Sequence, residues 1–146
     1  MRTATALIEA KLEASHGIHI NVKHQDFVKQ ILSGEKTMET RDTDSLKPYV
    51  GKRVGIIATG IKGDRYIHGY ANIESPVIYK NSKRFNKDYE KHRVGAESSH
   101  HLNNSKNKEK YGYPLSSITA LKKPIKLEKG KNGNRVARKL SLANKD

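Results

Sequence analysis

Three stretches with the two-residue period of a strand decide what this chain can fold into. Ile18-His19-Ile20-Asn21-Val22 alternates cleanly. Arg53–Thr59 carries Val54, Ile56, Ile57 and Ala58 and reads as a strand buried on much of both faces. Arg65–Ser75 alternates again, and Gly60-Ile61-Lys62-Gly63-Asp64 before it has the composition of a hairpin turn. Two helical patterns interrupt the strands. Asp26–Ser33 sets Phe27, Val28, Ile31 and Leu32 on one stripe, with Gly34 in the left-handed position that closes a helix. Ser82–Val94 reads as a helix capped by Ser82 and anchored by Phe85 and Tyr89. Leu115–Leu121 looks like a closing strand before Pro124. The order is strand, helix, several strands, helix and a last strand. It suits an α+β domain built on a small closed or nearly closed β-barrel with helices at its openings. At 146 residues the chain suits one domain with a modest core.

The stretch richest in chemistry is Gly34-Glu35-Lys36-Thr37-Met38-Glu39-Thr40-Arg41, where the first helix gives way to a strand. Period two puts Thr37, Glu39 and Arg41 on one face and Met38 with Thr40 on the other. Glu39 can brace Arg41, and Lys36, at the turn, can lean over the same surface. The same residues also fit an ordinary surface ion pair, worth under about 1 kcal/mol.

Charge is the strongest compositional signal, +14 in all and unevenly spread. Residues 1–75 hold 11 Lys and Arg against 9 Asp and Glu, while residues 76–146 hold 18 against 6. A cationic half points to a polyanion, nucleic acid above all. A solvated basic tail is the competing reading. On Arg65–Ser75, Tyr66, His68, Tyr70 and Asn72 share a face. Rings interleaved with cations suit base stacking and phosphate neutralisation, although half-exposed tyrosines also serve packing. Lys83, Arg84 and Lys87 surround the few apolar anchors of the second helix, where they can meet a phosphate backbone.

Around this body, Thr3–Ser15 reads as an amphipathic helix that packs on the domain, on a second copy or on a protein partner. Ala96–Lys110 is a polar insertion whose His100-His101 pair lacks a ligand partner at a recognisable spacing, so neither a metal nor another cofactor is expected. Past Glu128 the chain is rich in Gly, Asn, Lys and Arg, a composition for disorder, with a short basic helix around Val136–Leu142 on an anionic partner. The expected layout is an amino-terminal helix at 1–17, a domain at 18–126 with its insertion at 96–110, and a basic tail at 127–146. There is no cysteine, which excludes disulfides and thiol chemistry. The mean hydropathy of −0.82, with no apolar run of membrane length and no secretory leader, sets the expectation of a soluble, cytoplasmic protein.

The pattern Gly34-x-Lys36-x-x-Glu39-x-Arg41 follows a strand and a short helix and precedes the Val-Gly-Ile-Ile-Ala-Thr strand. It resembles the signature of the ASCH domain, a member of the PUA-like superfamily, from about Ile18 to Ile125. Tyr111-Gly112-Tyr113-Pro114-Leu115 resembles the closing segment of that domain. The resemblance implies a barrel with a cleft lined by Lys36, Glu39 and Arg41, with Lys23 beside them, and a role with RNA or more broadly nucleic acid. One branch of the family hydrolyses an acyl-amide on a modified cytosine. It matches this chain at Lys36 but has a threonine nucleophile where this chain has Glu39, and a carboxylate does not replace an activated hydroxyl.

Two functions of different class follow. In the first, a nucleic-acid-binding module, Arg41 and Lys36 contact phosphate or a base edge, and Tyr66, Tyr70 or Tyr113 stacks on an unpaired base. RNA is expected ahead of DNA. In the second, a hydrolase acting on RNA or a modified base, Glu39 or His68 is the general base and Lys36 stabilises developing negative charge. Binding is favoured, because cations and rings are many and no nucleophile–base pair stands out; a protein-interaction adaptor using the amino-terminal helix ranks below both.

Overall fold

The computed structural model describes residues 12–105, 108–129 and 136–143. Among these, strands and short helices run in the order β1 (His16–Asn21), α1 (Phe27–Leu32), β2 (Met38–Arg41), β3 (Arg53–Thr59), β4 (Tyr66–Ile73), β5 (Val77–Tyr79), α2 (Ser82–Lys87), α3 (Tyr89–His92), β6 (Lys110–Lys126) and β7 (Ala137–Lys139). Single 3-10 turns at Lys47–Tyr49 and Leu102–Asn104 lie in the connections.

The strands form one mostly antiparallel sheet in the order β2-β6-β4-β3-β1-β7, with β5 pairing the start of β6. Only β1 and β3 run parallel, Ile18 opposite Ile56, and the chain between them passes through α1 and β2. The sheet curls into a half-barrel. Of the expected closed or nearly closed barrel the structure shows this half-barrel: among the described residues β2 and β7 end the hydrogen-bonded path and do not pair with each other. A seam remains on the β1–β2 side, and the Arg41 side chain reaches across it to the carbonyl of His19.

The core explains which strands sit in the middle. Ile56 and Ile57 are adjacent on β3, both fully buried, and belong to different apolar clusters, so β3 is covered on both faces as its unbroken apolar run requires. The larger cluster gathers Ile18, Ile20, Val28, Ile31, Val54 and Phe85; the smaller holds Ile57, Ile67, Tyr70, Leu127 and Leu140. Each such isoleucine contributes about 1.5–3 kcal/mol by leaving water. Asp26 caps α1 by accepting from the Lys29 amide, and Gly34 closes it at φ 85°.

The second helix is not continuous. It breaks at Asp88, whose carboxylate accepts a 2.5 Å hydrogen bond from the buried Tyr79 hydroxyl. Its cap is the side chain of Asn81, not Ser82, and Tyr89 turns outward while Phe85 is buried. β6 continues through Pro124 to Lys126, because the ladder skips from Ala120 to Ile125 and asks no amide of the proline. Around Val136–Leu142 a strand replaces the expected basic helix. β7 pairs antiparallel with β1, and Leu140 is buried beside Leu127, so this segment belongs to the sheet. The amino-terminal helix falls largely on residues 1–11, outside the described residues, as do 130–135 of the tail. Among the described residues no helix is long and apolar enough to cross a membrane.

Candidate functional site

The Gly34–Arg41 stretch is pinned from two sides. Past the glycine, the Lys36 amide bonds to the Gln30 carbonyl at the end of α1, and the Thr37 amide bonds to Lys91 in α3. This clamp drops the Lys36 side chain inward, where it is fully buried. Its Nζ donates to the His92 carbonyl, one of the last-turn oxygens a helix cannot satisfy itself. It also lies 4.5 Å from the centre of the Phe27 ring and 3.7 Å from Glu39 Oε1. Burial pulls the Lys36 amine down to about 8, with Glu39 opposing and the Arg41 and Lys110 cations adding to the drop.

Glu39 is 6% exposed and stands between two cations. Its Oε2 accepts from Arg41 Nη2 at 3.0 Å, and the same nitrogen donates to the His19 carbonyl at 2.8 Å. Arg41 is thus fixed by one nitrogen. Its Nε is buried and has no hydrogen-bond partner among the described residues.

Beside this group the seam opens into a cavity of about 380 Å³. β1 supplies His19, Ile20 and Asn21, and β2 supplies Glu39, Thr40 and Arg41. Phe27, Asp42, Ser45, Thr59, His100, Lys110 and Val136 complete the wall. Lys110 Nζ pairs with Asp42 at 2.5 Å, and burial lowers the pKa of His100. Lys36 does not line the cavity; its amine stands behind Glu39.

The expected site residues divide accordingly. Glu39 and Arg41 line the cavity, and Lys36 supports them from inside. Thr40 also lines it, although strict alternation puts that residue on the other face. Lys23 is exposed just past β1 and does not line the cavity. His68 lines a second cavity that shares no residue with the first, so it is not a base for chemistry at Glu39. Tyr70 and Tyr113 are fully buried, which corrects their assignment as stacking platforms. The β4–β6 register shifts between Ile67 and Gly69 and again between Tyr70 and Asn72, turning Tyr70 into the smaller cluster under the Arg53 guanidinium. Tyr66 stays half-buried, with its ring 6.4 Å from that of His68. Lys83, Arg84 and Lys87 are exposed on α2. Sequence reasoning missed His100, Lys110 and Val136 as lining residues. The first two come from an irregular insertion, and the last from the tail. His101 is spoken for structurally: its Nδ1 accepts from the Asn103 amide, so Nε2 donates to Asn86 at 2.6 Å.

No protein-family model matches the chain, and no curated protein matches it. Solved structures do. A serine-to-alanine mutant of ZmASCH from Zymomonas mobilis aligns over 86% of this chain and 87% of its own length, at 18% identity and TM-score 0.66. An ASCH structure from the same organism aligns over 75% and 69%, at 21% identity and TM-score 0.54. Likeness at these identities is likeness of fold, and the half-barrel described above has the fold of an ASCH domain.

Proposed function

We propose that the chain binds nucleic acid, RNA ahead of DNA, by taking one unpaired nucleotide into the seam cavity and holding it on Arg41. The observation that carries this reading is the state of that guanidinium. Glu39 and the His19 carbonyl fix it through Nη2, and its side chain, 18% exposed, lines the cavity. A guanidinium held in this way still has N–H donors to offer an acceptor on a base or phosphate. Around it Asn21, Thr59 and His100 offer the mixed donors and acceptors that base edges need. The volume is at the low end for small-ligand sites. The role with RNA that the resemblance implies points the same way.

Calorimetry with ribonucleoside monophosphates and short single-stranded RNA tests the reading. Arg41→Lys keeps the charge but removes Nε and the planar fork, and should weaken binding about tenfold or more with little change in melting temperature. Wild-type protein that binds neither probe, or a lysine variant that binds as well, would sink it.

A hydrolase acting on RNA or a modified base is the second reading. The observation favouring it is a lysine brought down to about 8, within reach of proton transfer at neutral pH. Against it, that amine does not share the cavity wall with any hydroxyl, and His68 is elsewhere. Turnover that Glu39→Gln abolishes while binding persists would move the balance to this side.

A further inference from the structure

The second cavity, about 580 Å³, is built differently from the first. Val22, Val28, Leu32, Ala58 and Ile61 give it an apolar floor, and His68 stands in its wall. Ile61 is 48% exposed at its edge. Burial holds the pKa of His68 below the usual imidazole value, which favours a neutral ring, and Tyr66 lies beside it. Asp26 lines the cavity too, but its carboxylate already accepts from the Lys29 amide as the cap of α1.

What gives this cavity meaning is its position. Residues adjacent in sequence divide between the two cavities. Asn21 lines the first and Val22 the second; Thr59 the first and Ala58 the second; Phe27 the first, with Asp26 and Val28 the second. At the ends of β1 and β3, Asn21 and Val22, like Thr59 and Ala58, point to opposite faces, so the two cavities meet at that rim, although Ile20 lines the first cavity together with His19 and Asn21. The rim joining them is firm. The Val22 amide extends the β1–β3 ladder to the Thr59 carbonyl. Asn21 Oδ1 accepts from the Lys23 amide and packs so closely on Gly60 that a Cβ there would come within 2.5 Å of it. Lys23 and Lys62 stand exposed on this rim, cations for a phosphate passing over it.

We propose that the second cavity takes the neighbouring base of a strand whose first base occupies the seam cavity, so that the ligand is single-stranded nucleic acid read as two splayed bases. This rests on the reading of the seam cavity given above. The seam suits a base edge, through its polar wall. The second cavity suits a base face, through its apolar floor and neutral ring, and stacking of this kind tolerates any base. Two successive bases on opposite sides of a strand end cannot remain stacked on each other or paired in a duplex.

Calorimetry on the full chain, with ribonucleoside monophosphates, single-stranded diribonucleotides and a blunt RNA duplex, tests it. The dinucleotide should bind about tenfold more tightly than either of its monophosphates, and the duplex no more tightly than a monophosphate. His68→Ala and Ile61→Ser should each remove most of the dinucleotide's gain and leave monophosphate affinity unchanged, which also shows that the variants fold. A dinucleotide without that gain overturns the second site and leaves the first standing. A gain that neither variant touches overturns it as well, since the second base then lies elsewhere. An apolar probe dye that occupies the cavity and is not displaced by the dinucleotide would assign it to an apolar occupant instead. If no monophosphate binds, the seam reading fails and this one fails with it.

Discussion

At the scale of single residues, Lys36 sets the behaviour of the site. Its folded pKa of about 8 lies below the ordinary lysine value of 10.5. Between those values the unfolded chain holds the proton more tightly than the folded one, so stability should rise with pH there, by at most about 1.4 kcal/mol per unit. Above about 10 the buried hydroxyls of Tyr70, Tyr79 and Tyr113 act the other way, because burial raises their pKa values and the folded chain then holds more protons. The clean window is therefore pH 8 to about 10. Urea unfolding across it should show a rising slope in the wild type and a flat one in Lys36→Met; equal slopes would show that Lys36 is not the titrating group. The Glu39–Arg41 pair was legible from its two-residue spacing on a strand. The burial of Lys36 was not, because it depends on carbonyls of Gln30 and Lys91 that meet only in the fold. Tyr70 misled for a related reason: a two-residue count cannot see a register shift in the partner strand.

At the scale of elements, α2 and α3 are held by two histidines whose hydrogen bonds require the neutral ring. His92 Nδ1 accepts from the Val94 amide, so Nε2 donates to the Phe85 carbonyl at 2.7 Å, and the ring stacks on Phe85 at 4.0 Å. Burial pushes His92 down to about 4, and His101 moves in the same direction. The unfolded chain thus binds protons that the folded one refuses, and stability should fall as pH drops from about 6.5 to 4. His92→Gln keeps an acceptor and a donor but does not titrate. Thermal melts over this range should show a shallower acid loss in the variant, and superimposable curves would remove His92 from the account. The His92 backbone carbonyl, in α3, receives the Lys36 amine, so acid loosening here would reach the seam. Elements with their own periodicity, β1, α1, β3 and β4, were legible. The three-residue strands β5 and β7 were not, since segments so short take their conformation from the strand they pair with.

At the scale of the whole molecule, the order of strands and helices was enough to suggest the fold, but not the seam. That gap exists because, among the described residues, the sheet ends at β2 and β7 without joining, and no local pattern encodes a missing pair. Charge gives the last test. A monophosphate held in the seam neutralises one phosphate and should show a shallow dependence on salt. A long single strand that also crosses the basic half should show a steep one, with log K falling against log salt at about −0.7 per phosphate neutralised. Lys83, Arg84 and Lys87 are exposed on one short helix, so replacing all three by alanine should cost little stability. If α2 tracks the backbone, that variant should flatten the slope for the long strand by about 2 and leave monophosphate binding alone. A slope that does not move would confine recognition to the seam and its neighbour and leave the cations of α2 as a solvated surface.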